Sequence, residues 1–272
     1  MDSEREKCGM FCVDGLVLQA KKRGEHDLFL QVLTADRGRI LICAKGGRSV
    51  RSGQMPVSQP FTYSNMEVYE KNGFLWLKGG SVIHSFYSVS EDLESFAVAS
   101  YMVESVQDFT DEGVTDESVL RLLLNLLYAL SEKKAPPDLV KALWEFTLLS
   151  LSGYAPDLQG CAVCHKGAPA FFDIQNGRLL CPECKAREEV RAPSEDEREE
   201  SRMIAPVLDE TLAAMRYLER TDSKKIMGFP PLGPAGRINL EQLAESFFLY
   251  HVGHSYKSLS FYKGMKGEVE KR

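Results

Sequence analysis

The chain has 272 residues, 44% of them hydrophobic, and a formal net charge of −6. That is enough apolar chain for a real core in two or three domains. No apolar run nears the roughly 18 residues a membrane span needs, and no charged-then-apolar leader opens the chain. A cytoplasmic protein without a membrane partner is therefore expected.

The first eighty residues read as β-structure. Phe11 to Leu18 and Leu28 to Thr34 are strand candidates, and the turn Ala35-Asp36-Arg37-Gly38 returns the chain through Arg39 to Ala44. Phe61 to Tyr69 alternates loosely, Asn72-Gly73 is a strong two-residue hairpin turn, and Phe74 to Lys78 leads back. Ser81 to Tyr87 adds a last strand. Five or six short strands without intervening helices imply a small closed barrel. The Gly/Ser/Pro-rich stretch from Lys45 to Pro60 reads as a basic loop.

From Glu91 the period becomes helical, with Ser90 and Glu91-Asp92 as cap and acidic first turn. Glu117 to Leu130 and Asp138 to Leu151 are two more helices, divided by Pro136-Pro137, and Gly153 ends the second. Thr211 to Leu218 and Leu240 to Tyr250 resume helical spacing. Residues 188–200 hold seven acidic side chains and read as a solvated linker.

Between the helical stretches lie Cys161-x-x-Cys164 and Cys181-x-x-Cys184, sixteen residues apart. Each pair lets a tight turn aim two thiolates at one point, and the separation suits a zinc ribbon with a hairpin around Asn176-Gly177. Four thiolates leave no open position for water, so such a Zn²⁺ is structural. Disulfides, an iron centre and redox pairs are the competing readings, although no βαβ unit accompanies the redox one. His165, beside Cys164, is expected to face solvent or support the site from outside it. Cys8, Cys12 and Cys43 form an odd set without framework spacing.

The acidic total hides a basic segment. Residues 1–80 carry 12 Lys/Arg against 9 Asp/Glu, and 21–51 carry 8 against 3. Local field, rather than total charge, decides where a polyanion docks. The candidate contacts for a polyanion such as DNA are Lys21, Lys22, Arg23, Arg37, Arg39, Lys45, Arg48 and Arg51, with a merely solvated face as the competing reading of such a charge run. For base stacking, Phe29, Phe61, Tyr63, Tyr69, Phe74 and Trp76 are available, most of them expected in the core. Glu25 and Asp27 suit ion pairs or backbone capping better than acid–base chemistry. No nucleophile elbow, phosphate-binding loop or carboxylate cluster occurs, so no catalytic residue is assigned.

The chain resembles the zinc-bearing type of the bacterial RecO family of DNA recombination and repair mediators. The segments that carry the resemblance are Gly15-Leu16-Val17-Leu18, Gly24-Glu25-His26-Asp27, Leu33-Thr34-Ala35-Asp36-Arg37-Gly38-Arg39-Ile40 and Ala44-Lys45-Gly46-Gly47-Arg48. Gln59-Pro60-Phe61, Gly153-Tyr154-Ala155-Pro156-Asp157-Leu158 before Cys161, and Tyr250-His251 with Lys257-Ser258-Leu259 extend it over nearly the whole chain. The sequence departs from the family where Gly79-Gly80-Ser81 replaces an acidic residue and where Val50 separates Arg48 from Arg51.

The resemblance implies an α+β protein: an OB-fold barrel at 1–82, a helical domain at 83–158 and 201–272, a zinc ribbon at 159–187 and the acidic linker at 188–200. It further implies a non-enzymatic mediator near the nucleoid that binds single- and double-stranded DNA and anneals strands coated with single-strand-binding protein. Its partners would be RecR, single-strand-binding protein and, indirectly, the recombinase RecA. Lys133, Lys134, Lys141 and Lys257 are possible basic rims for a partner's acidic tail. A zinc-containing interaction adaptor and a nucleic-acid-processing enzyme with an OB module are the alternatives.

Overall fold

The computed structural model describes residues 9–49, 52–114, 117–166, 168–190 and 203–269. Arg51, Cys8 and most of the acidic stretch lie outside the described residues. The chain divides into two compact units, Met1–Glu132 and Lys133–Arg272.

In the first unit, β1 (Met10–Arg23), β2 (Asp27–Thr34), β3 (Gly38–Ala44), β4 (Thr62–Lys71) and β5 (Phe74–Ser85) follow the order β1-β2-β3-β5-β4. β4 pairs back onto β1, with Met10 opposite Tyr69, so the sheet closes. Alternation does the sorting: Leu28, Leu30 and Val32 of β2 point inward with Val13, Val17, Ile42, Met66, Val68 and Leu77, while Phe29 and Gln31 face out. Burying such branched side chains supplies roughly 25 cal/mol per Å² of apolar surface.

Two glycines are dictated by geometry. Gly38 sits at φ +60°, and a Cβ there would lie 2.3 Å from the Val114 carbonyl oxygen, because the 111–114 segment presses on this turn. Gly113 N–H donates to Arg37 O at 3.2 Å and Arg39 N–H to Asp111 O at 3.3 Å. Gly80 passes so near β4 that a Cβ would meet Asn65 O at 2.4 Å. The sequence pattern predicts separate strands at Phe74 to Lys78 and Ser81 to Tyr87; β5 instead runs straight through Gly79-Gly80, with register shifts against β4 at Glu67/Val68 and Tyr63/Ser64 absorbing the twist. Asn72-Gly73 forms the expected tight turn, both residues at positive φ between Lys71 and Phe74.

Helices α1 (Leu93–Ser105) and α2 (Glu117–Ser131) complete this unit rather than grouping with the later helices. Asp92 caps α1 by accepting from Ser95 N–H at 2.8 Å. Phe61, at a left-handed φ of 58°, packs its edge on Phe96, and His84 leans on Phe86 and Tyr128.

The second unit holds α3 (Pro137–Leu149), β6 (Asp157–Cys161), β7 (Phe171–Asp173), β8 (Arg178–Leu180), α4 (Pro182–Val190), β9 (Ile204–Pro206), α5 (Asp209–Arg220), α6 (Pro234–Val252) and α7 (Lys257–Val269). Trp144, Phe146, Phe247 and Phe248 fill its interior. The short sheet has the order β6-β8-β7-β9. Residues 204–206, read from sequence as part of the helical domain, thus supply the ribbon's fourth strand. The expected hairpin around Asn176-Gly177 is present between β7 and β8. Asp173 pairs with Arg178, which leaves four residues between them, and the Asp173 carboxylate accepts from Asn176 and from Arg178 Nε at 2.9 Å.

Candidate nucleic-acid interface and metal centre

Strand direction sorts the basic residues into two groups. Lys21, Lys22 and Arg23 end β1 opposite Phe29, Leu28 and Asp27, and Lys45 and Arg48 follow β3 at the same end of the barrel. The loop after β3 is held there by Gly46 N–H donating to Asp27 Oδ1 at 2.8 Å and by Arg48, whose backbone N–H reaches His26 O and whose guanidinium reaches Glu25 O. Asp27 therefore caps backbone, as expected of it. Lys21, Lys22, Lys45 and Arg48 are exposed.

Arg37 and Arg39 lie at the other end of the β2–β3 hairpin. Six residue steps along β3 take the chain from Arg39 to Lys45, about 20 Å at roughly 3.3 Å each. The Arg37 guanidinium stacks over Phe11 at 3.9 Å from the ring centroid and sits 3.7 Å from Asp36. A cleft lined by Arg37, Arg39, Leu41, Gly73 and Phe74, with Asp36 and Glu112, opens beside them. The eight basic residues thus form one concentrated end and a weaker, partly neutralised one, with Arg51 undescribed.

The structure also sorts the aromatics. Phe61 is buried, Phe74 is 51% exposed, and Phe29 and Trp76 are half-buried on the outer face with Cys43 between them. Only strand order, which the sequence does not print, brings these last three together.

In the second unit, the Sγ atoms of Cys161, Cys164, Cys181 and Cys184 all lie within 4.8 Å of one another. Cys164 Sγ and Cys181 Sγ are 3.8 Å apart, too far for a disulfide. A tetrahedron of sulfurs each about 2.3 Å from a central ion has S···S edges of about 3.8 Å, so the arrangement fits a four-thiolate metal ion. Burial resists ionisation of Cys161, but backbone N–H groups of Cys164, Cys181 and Val163 outweigh it and bring the thiol down to about 6. Cys184 is pushed up to about 12 by burial and by the neighbouring thiols. Four such groups share one centre comfortably only around a cation. His165 is exposed, and its backbone N–H donates to Cys161 O at 3.0 Å, so it stands outside the cluster.

The family model "Recombination protein O N terminal" matches residues 10–86, and "Recombination protein O C terminal" matches 90–260. The chain belongs to the RecO family. It is 32% identical over 173 residues to the DNA repair protein RecO of Caldicellulosiruptor saccharolyticus, covering 63% of this chain and 70% of that one. The RecO of Bacillus pumilus is 25% identical over 254 residues, 93% of each chain, and that of Dehalococcoides mccartyi 27% identical over 238. A role in DNA repair and recombination follows for a RecO family chain. Among the described residues no helix is long and apolar enough to cross a membrane.

One of the possible rim charges is not available to a partner in this RecO family member. Lys141, read as a possible rim charge, is 4% exposed and lies 3.0 Å from Glu145 Oε2 and 2.8 Å from Glu245 Oε2. Lys133, Lys134 and Lys257 are exposed.

Proposed function

We propose that the chain is a non-enzymatic mediator that grips single- and double-stranded DNA with its barrel and scaffolds partner proteins with its helices. In this reading it anneals strands coated with single-strand-binding protein, works with RecR and assists loading of RecA, in the cytoplasm at the nucleoid. The observation that carries the reading is the gathering of Lys21, Lys22, Lys45 and Arg48 at one end of a closed barrel in a RecO family chain. Such a cluster neutralises phosphates and releases counterions. The metal is Zn²⁺, held by Cys161, Cys164, Cys181 and Cys184; bound, it supplies a structural cross-link with no open coordination position.

The test is strand binding followed by fluorescence anisotropy over a salt series. Reversing Lys21, Lys22, Lys45 and Arg48 to Glu is expected to weaken single-strand binding more than tenfold and flatten the log–log salt slope by about 3 units. Reversing Arg37 and Arg39 is expected to flatten it by about 1 unit. Unchanged affinity in the fourfold variant, with metal content and fold intact, would remove the assignment. Salt-sensitive acceleration of annealing between strands precoated with single-strand-binding protein, without ATP, is the matching activity assay.

A further inference from the structure

Arg23 is held in an unusual way. Its Cζ lies 4.6 Å from the Phe29 ring centroid and 5.7 Å from that of Trp76, and its guanidinium donates to Cys43 Sγ at 3.4 Å. Among the described residues no carboxylate pairs with it: Asp27, its cross-strand neighbour, spends an oxygen on Gly46 N–H. An arginine placed for stability alone is expected to find an acid. This one is held by two π faces and a thiol.

The geometry around it is that of a slot. Phe29 is on β2 and Trp76 on β5, with β3 and the buried Cys43 between them as the floor. Strands two places apart are about 9.6 Å apart, and a flat group sandwiched between two rings needs about 7–8 Å. The Trp76 indole is anchored by Nε1–H donating to Lys71 O at 3.4 Å, so one wall keeps its orientation. Lys21, itself a member of the basic cluster, occupies the same cross-strand row beside Phe29.

We propose that Phe29 and Trp76 are the walls of a nucleobase slot on the outside of the barrel, with the Arg23 guanidinium as its resident filler. A planar, π-stacking group carried on a phosphate chain matches both the slot and its lysine surround. The proposal rests on the DNA-binding reading above and adds a base-contacting subsite to it. Cation–π attraction at an exposed site is weaker than stacking of a base on an aromatic ring. An arriving base therefore displaces the guanidinium, which swings out to a phosphate.

The chain carries its own reporter. It has two tryptophans, and Trp144 is 0% exposed, so quenching by an added strand reads Trp76. With the full metal-loaded chain, an oligothymidine strand is expected to quench emission, and the quench is expected to vanish in Trp76→Phe. By anisotropy, the wild type is expected to bind that strand about tenfold more tightly than an abasic strand of equal length. The ratio should fall towards one in Phe29→Leu and Trp76→Leu, which keep the surface apolar and the fold intact. In Arg23→Ala overall affinity should drop while the thymidine-to-abasic ratio rises, because the filler is gone. Millimolar free thymidine monophosphate should not displace the strand; displacement would overturn the assignment to a strand base. Equal binding of both strands by the wild type, without quenching, would overturn the slot and leave the basic grip standing. No binding of either strand would remove both.

Discussion

The two units are held together by different means. The Met1–Glu132 unit closes a sheet on itself around an apolar interior, and its described core contains no ion pair. The Lys133–Arg272 unit is built around two polar centres: four thiols, and Lys141 clasped by Glu145 and Glu245. Burial of hydrocarbon is nearly indifferent to protons and metals, whereas both polar centres are charge-dependent. The lesson is that one chain can place the proposed DNA grip on an element insensitive to pH and chelators and keep its conditional stability elsewhere.

The largest break in this comparison should come from the metal. Replacing Cys161 and Cys164 by Ser is expected to remove one equivalent of bound metal, proposed above to be Zn²⁺, and unfold the β6–β9 sheet, since structural metal binding is largely folding free energy. Hydrogen exchange should show lost protection around Phe172, Leu179 and Leu180, with β1–β5 unchanged. Retained metal would mean the ligands are misassigned.

Next in size is the buried lysine. Burial alone would lower the Lys141 pKa, but Glu145 and Glu245 outweigh it and raise it, while burial of Glu245 is overcome by Lys141 and Lys263. Lys141→Met, which leaves Glu145 buried without its cation, should cost about 3–5 kcal/mol in denaturant titrations. The signs follow. The Glu245 contribution is complete above its unfolded pKa near 4.5 and is lost as pH falls through the lower folded value; that of Lys141 is lost as pH rises above 10.5.

In the other unit the sensitive point is steric. Gly38→Ala puts a Cβ against the Val114 and Asp111 carbonyls at a left-handed φ and should cost about 2–3 kcal/mol at any pH, with metal content unchanged. The smallest expected effect sharpens the contrast. Glu241 is pushed up to about 7 by burial and by Asp138, against the pull of Lys266, Arg237 and Lys141. Its folded form binds a proton that the unfolded form releases near 4.5, so stability falls as pH rises through that window. Glu241→Gln should raise stability by about 1 kcal/mol at pH 8 and leave it unchanged at pH 4.

Much of this was legible from sequence. Asn72-Gly73 fixes a two-residue turn because both positions require positive φ, and two C-x-x-C pairs announce a four-thiol centre by spacing alone. What failed was where a local signal had two meanings. Gly79-Gly80 reads as a chain break, yet Gly80 is small because β4 approaches it, not because β5 ends. Ile204-Ala205-Pro206 is too short to show a strand period, and only pairing with β7 makes it one. Lys141 falls at a helical position whose burial depends on two acids, one of them about a hundred residues away. The basic segment looked continuous because sequence distance hides the length of β3.

The return of β9 has a consequence for the integrity of the chain. Phe171 to Asp173 pair with Pro206 to Ile204, Val207 N–H reaches Ala170 O, and Ile174 N–H reaches Met203 O. The chain that resumes at 203 is thereby stitched back into the sheet that holds β8, the strand just before α4. A protease site engineered within the segment from 191 to 202 should yield two pieces on a denaturing gel that still migrate as one particle under native conditions. That outcome would make covalent continuity there dispensable and the position a natural place to graft a tag or a second module.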